Sequence, residues 1–130
     1  MEADSFLAKA EESLASAEDD YAKGRYNACA RNTYYALFQA AVAALQAENI
    51  LPRGDWTHEF VQGQFSGLLI YRRKIYPSLY SSLLAEAFRV RTRADYTAMA
   101  VPPRAVTRTL QHARSLISLV KEKVHGSRQT

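Results

Sequence analysis

Two clusters in this sequence combine side-chain types and spacings that could do chemistry. The first, Arg31-Asn32-Thr33-Tyr34-Tyr35, sets a guanidinium four residues before Tyr35 and seven before Phe38, so in a helix it shares a face with two rings. A cation on a mostly apolar face has to be satisfied. An internal ion pair, a stack on Tyr35 and a ligand phosphate would each serve. The second cluster is Arg89, Arg91, Arg93, Asp95 and Tyr96. Arg91 and Asp95 stand four apart, at ion-pair spacing, and Arg89 and Arg93 make a parallel step. Basic residues near a helix C-terminus complement its dipole for about 0.3 to 1 kcal/mol each. Three alternating arginines exceed that need, and phosphate binding is the other use of a planar guanidinium fork.

Other chemistries find few residues. The histidines are His58, His112 and His125, with no His-x-x-x-His pair, and a single Cys29 excludes an intrachain disulfide and a cysteine-built zinc site. Neither a metal nor a cofactor is expected. Gly63 and Gly67 match no phosphate-loop or dinucleotide fingerprint.

Charge is unevenly divided. Residues 1–65 hold ten Asp and Glu against five Lys and Arg, whereas residues 66–130 hold three against twelve, nine of them Arg. An anionic partner such as RNA or a nucleotide fits the basic half, as does an acidic helix docked on a basic one. The longest apolar runs fall far short of the roughly 20 residues a membrane span needs, and the first residues are acidic where a signal peptide is basic. A soluble, cytoplasmic protein without membrane association is expected.

The elements that must position these clusters read as helices. Apolar residues at Leu7, Ala10, Leu14, Ala17 and Tyr21 form one stripe, capped by Asp4 or Ser5 and stopped by Gly24. The second segment, about 25–48, carries a stripe of Tyr26, Ala30, Tyr34, Leu37, Ala41 and Ala44 and another of Tyr35, Phe38, Val42 and Leu45. Apolar on two sides, it belongs at the centre. After a loop with Pro52 and Gly54, Asp55 or Thr57 caps a third helix to about Tyr71. Pro77 suits the first position of a fourth, running to Asp95, with Tyr80, Leu83, Leu84, Ala87 and Phe88 inward. Pro102 and Pro103 open a fifth, whose stripe of Val106, Leu110, Ala113, Ile117, Val120 and Val124 keeps a seven-residue beat. That beat suits an internal seam or a dimer seam. His58 and His112 fall inside helices; His125 falls in a tail expected to fray. No segment alternates as a strand would. The chain is expected to fold as one all-α domain over residues 1–130, an antiparallel bundle of about five helices with its core near 6–124.

Gly24-Arg25-Tyr26, Ala30 through Ala41, His58 with Phe65, and Arg91-Thr92-Arg93-Ala94-Asp95-Tyr96 together resemble the HEPN domain family. The resemblance implies a helical bundle that pairs into a homodimer, often encoded beside a small nucleotidyltransferase as a toxin–antitoxin pair. Many members are metal-independent RNases whose motif is an Arg, usually followed by a polar residue, with a His after a gap of four to six residues. Here the corresponding positions after Arg89, Arg91 and Arg93 hold no histidine. Arg53 and His58 match formally, but across a loop and with Gly54 in the polar position; His58 is expected to pack or cap at its helix start, and His112 to face solvent or a dimer mate.

The resulting reading is an RNA- or nucleotide-phosphate-binding protein with a degenerate RNase motif. Arg89, Arg91, Arg93 and Arg31 hold phosphate, and Tyr34, Tyr35 and His58 support them. The alternatives are a divergent endoribonuclease using Arg91 with Asp95, Tyr96 or a histidine from the other subunit, and a structural partner whose arginines serve internal salt bridges.

Overall fold

A computed structural model describes the backbone of residues 2–129 and the side chains of residues 2–126. The helices are α1 (Glu2–Ala22), α2 (Tyr26–Ala47), α3 (His58–Gln64), α4 (Leu83–Tyr96) and α5 (Pro103–Gln129), and the described residues include no strand. α3 runs on as a π-helical stretch over Phe65–Arg72, and a 3-10 turn occupies Ser78–Tyr80.

α2 is the central helix because nearly every side of it is apolar. Thr33, Ala36, Leu37, Ala40 to Leu45 and Cys29 are all buried. Its small alanines leave room for α1, α4 and α5 to pack around it. The stripe on α5 answers the question its period raised. Val106, Leu110, Ala113, Ile117, Val120 and Val124 are all buried within their own chain, so the seven-residue beat is an internal seam.

Helix ends follow local chemistry. Gly24 takes a left-handed φ of 74°, while the Arg25 amide reaches back to the Asp20 carbonyl at 2.8 Å, which turns the chain between α1 and α2. Buried Asp20 then accepts from Arg25 Nε at 2.9 Å and Asn32 Nδ2 at 2.8 Å, locking the two helices together. Asn32 is therefore committed to the scaffold. α2 ends in the same manner, with Asn49 at φ 59° and the Ile50 amide bonded to the Leu45 carbonyl at 3.0 Å. Thr57 caps α3 through the Phe60 amide.

Three local expectations are corrected. α1 begins at Glu2, so Asp4 and Ser5 lie inside it, with Asp4 in the first turn beside the positive end of the dipole. Pro77 does not open α4. It is extended (ψ 146°), and three-residue bonds run from the Tyr80 amide to Pro77 and from the Ser81 amide to Ser78. The Ser81 carbonyl is taken by Gln62 Nε2 and Ser66 Oγ, and the regular ladder starts only with the Glu86 amide on Ser82. His125, finally, belongs to α5 and lies 3.7 Å from an Asp4 carboxylate oxygen.

Gly24→Ala should lower stability by about 1 to 2 kcal/mol, the conformational cost of a left-handed L-residue, since no atom within 4 Å would meet the added Cβ. Denaturant titration monitored by circular dichroism measures this; an unchanged midpoint would mean the turn is not fixed by that φ.

Candidate functional site

α4 advances by about 100° per residue, so alternate residues point to nearly opposite sides. This splits the arginine run. Arg91 and Asp95 turn toward α2, whereas exposed Arg89 and Arg93 follow Glu86 on the other side.

On the α2 side, Asp95 joins two guanidinium groups. Its Oδ1 accepts from Arg31 Nε of α2 at 3.0 Å and its Oδ2 from Arg91 Nε one turn earlier at 3.3 Å. Both clusters found in the sequence thus meet at one carboxylate, and Arg31 takes the ion pair rather than the stack. The side chain of Asp95 is 17% exposed, Arg91 24% and Arg31 42%, so solvent still reaches the group. Two cations against one anion leave a positive surplus.

The stacking guanidinium is Arg91. Its Cζ lies 5.1 Å from the ring centre of Tyr34, 5.3 Å from Tyr35 and 6.0 Å from Phe88, within cation–π range. These groups line an open pocket of about 450 Å³, completed by Phe6 and Lys9 of α1, Phe38 and Gln39 of α2, Trp56 and His58. Tyr34 is buried at its floor, while Tyr35 stays 36% exposed at its rim.

His58, the first residue of α3, stacks on Phe88 with ring centres 4.1 Å apart, and its Nδ1 is 2.9 Å from the Tyr34 hydroxyl. Burial pushes the Tyr34 phenol up to about 12, so it remains protonated. Burial also holds the His58 imidazole below its ordinary value, with the Arg91 charge acting in the same direction and Glu59 opposing. A neutral imidazole therefore shares an aromatic pocket with a cation. Arg53, its formal partner in sequence, is exposed in the preceding loop and makes no ion pair among the described residues. Tyr96 is 77% exposed at the end of α4 and outside the pocket lining.

The opposite side of α4 offers a different surface. Arg108 of α5 lies 3.5 Å from Glu86, and a cavity of about 680 Å³ is lined there by Glu86, Pro102, Pro103, Arg104, Ala105 and Arg108. Arg89, Arg93 and Arg104 are exposed and form no ion pair among the described residues. His112 is half-buried rather than open, with Nδ1 buried and lacking a hydrogen-bond partner among the described residues. Among those residues no three His, Cys, Asp or Glu side chains converge as a metal site would require, and no helix is long and apolar enough to cross a membrane.

The family profile of the HEPN domain matches residues 3–123, nearly the whole helical assembly. The chain belongs to the HEPN domain family. No curated protein matches it. Against the HEPN pattern described above, α4 keeps arginine but holds Tyr96, Thr97 and Ala98 where a histidine would follow Arg91. The histidine that does reach the Arg91 pocket, His58, comes from α3.

Sequence reasoning grouped Arg31, Arg89, Arg91 and Arg93 with Tyr34, Tyr35 and His58; the structure sets Arg31 and Arg91 on Asp95 and Arg91 in one pocket with Tyr34, Tyr35 and His58, and it places Arg89 and Arg93 on the other side of α4. The sequence reading missed Phe6, Lys9, Trp56 and Phe88 as lining, and Arg104 and Arg108 as neighbours of Glu86. A usable signal did exist for the aromatics, since Phe6 and the lone Trp56 lie off the buried stripes.

The depressed His58 value makes a pH prediction. An unfolded imidazole takes its proton near about pH 6.5 and the folded one only at lower pH, so the contribution is complete above about 6.5 and is lost as pH falls through the folded value. Between pH 7.5 and 5, thermal melts should show a larger drop in Tm for the native chain than for His58→Gln. Equal drops would refute the burial assignment.

Proposed function

We propose that this HEPN protein is a phosphate-binding module for RNA or nucleotides, working as a homodimer in a toxin–antitoxin or nucleotidyltransferase-associated pair. The observation that carries the reading is the split of α4. Arg89 and Arg93 are exposed without ion-pair partners among the described residues, and Arg104 of α5 is likewise unpaired beside the Glu86 groove. Helix propensity and dipole compensation do not call for that many free guanidinium groups on one side. They suit a polyanion whose charge they would neutralise. The homodimer and the partner enzyme rest on family membership.

Fluorescence anisotropy with a short single-stranded RNA tests this at several salt concentrations. Each phosphate contact contributes about 0.7 to the slope of log affinity against log salt for a single strand. Arg89→Ala with Arg93→Ala should weaken binding and flatten that slope by roughly 1 to 1.5. An unchanged slope would leave these arginines without a role in phosphate binding.

A second reading, a metal-independent endoribonuclease, is favoured by one observation: neutral His58 lines the same pocket as Arg91. In that reaction the imidazole takes the proton of a ribose 2′-hydroxyl, the 2′-oxygen bonds to phosphorus to form a 2′,3′-cyclic phosphate, and the P–O5′ bond breaks with the 5′-oxygen taking a proton from water, while Arg91 stabilises the phosphorane charge. Asp95 is a poorer candidate for the base, because both its oxygens are engaged by arginine. RNA incubated with the protein in EDTA should be cut by the native chain and left intact by His58→Asn. Intact RNA with both proteins would leave binding alone.

A further inference from the structure

The aromatic pocket has a composition that phosphate recognition does not explain. A phosphate needs donors, yet most of this wall is rings: Tyr35 and Trp56 beside the His58–Phe88 stack. Cations stand at two points around it, Arg91 over Tyr34 and Tyr35, and Lys9 with its ammonium 5.4 Å from the Phe6 ring centre. Asp95 answers Arg31 and Arg91 together, so the surplus charge faces an opening whose rim ring, Tyr35, is partly free. The volume of about 450 Å³ falls within the range of small-ligand pockets. Such a space suits a flat, polarisable, uncharged group covalently joined to an anion.

We infer that this pocket receives one unstacked nucleobase, its π-face against Tyr35 and Trp56 and its attached phosphate drawn toward Arg91 and Lys9. The inference rests on the nucleic-acid reading above and adds the class of ligand: a single strand, or a free nucleotide, rather than paired RNA whose bases are stacked away. Stacking on aromatic faces tolerates any base, so recognition here is of single-strandedness more than of sequence.

Trp56 is the only tryptophan in the chain, so its emission reports on the pocket directly. The titrants are an adenylate oligonucleotide, an abasic strand of equal length, and adenosine monophosphate, with strand binding followed in parallel by anisotropy. The oligonucleotide should quench Trp56 at saturation and the abasic strand should bind more weakly without quenching. Tyr35→Ala should reduce oligonucleotide affinity about tenfold, while Tyr35→Phe, which keeps the ring, should restore it. Quenching by the mononucleotide as well would identify a free nucleotide as sufficient.

The outcomes separate the two readings. A strand that binds but leaves Trp56 unchanged overturns the base pocket and retains phosphate binding. Mononucleotide quenching without strand binding retains the pocket and overturns the polyanion surface. Equal quenching by the abasic strand, or no quenching by any titrant up to millimolar concentration, overturns the base pocket.

Discussion

Burial of Leu83, Leu84 and Ala87 fixes the rotation of α4 about its axis, and it turns toward α2 the carboxylate of Asp95, which receives Arg31 from α2 and Arg91 from its own helix. Partly exposed ion pairs of this kind contribute little to stability, on the order of 1 kcal/mol or less. They hold the two guanidinium groups beside one carboxylate rather than setting the helix. With Asp95 turned toward α2, a helix of 3.6 residues per turn must carry Arg91 inward and Arg89 and Arg93 outward. One helix thereby makes two surfaces: a ring-lined pocket holding a single guanidinium, and a basic face shared with the start of α5.

Burial does the rest of the positioning. α2 is covered on most of its circumference, which leaves Tyr35 and Phe38 among its few side chains reaching the pocket. Tyr34, one position earlier, is buried and binds His58 through its hydroxyl. That bond and the stack on Phe88 hold the imidazole between α2 and α4, although the residue comes from the start of α3. The same burial that places His58 also keeps it neutral, so packing and protonation state have one cause here. Arg91 gains from the arrangement too, because rings on several sides satisfy a cation that solvent only partly reaches.

The Gly24–Arg25 and Asn32 positions show a different allocation. They belong to the stretch by which the chain resembles its family, yet their side chains and backbone close the α1–α2 corner around Asp20. Asn32 and Arg31 are adjacent in sequence, and α2 sends one to the scaffold and the other to the Asp95 centre. Neighbouring residues about 100° apart on a helix answer to different partners.

The helices themselves were legible from the chain. Apolar residues at three- and four-residue steps marked four of them, the preceding loop and cap residues marked the third, the two-sided pattern of the second placed it centrally, and the Arg91–Asp95 spacing carried its ion pair, because each of these is set by local geometry. The start of α4 was not legible. Pro77 has a φ that suits a helix, but Gln62 and Ser66 claim the Ser81 carbonyl from a distant segment and delay the ladder. Nor did spacing along one helix reveal that Arg31 meets Asp95, that His58 lands on Phe88, or that Phe6 and Trp56 close the pocket. Those pairings depend on how separate helices are rotated and seated against one another. That is settled by the combined burial of the apolar side chains of all the helices, so only the tertiary structure could decide it.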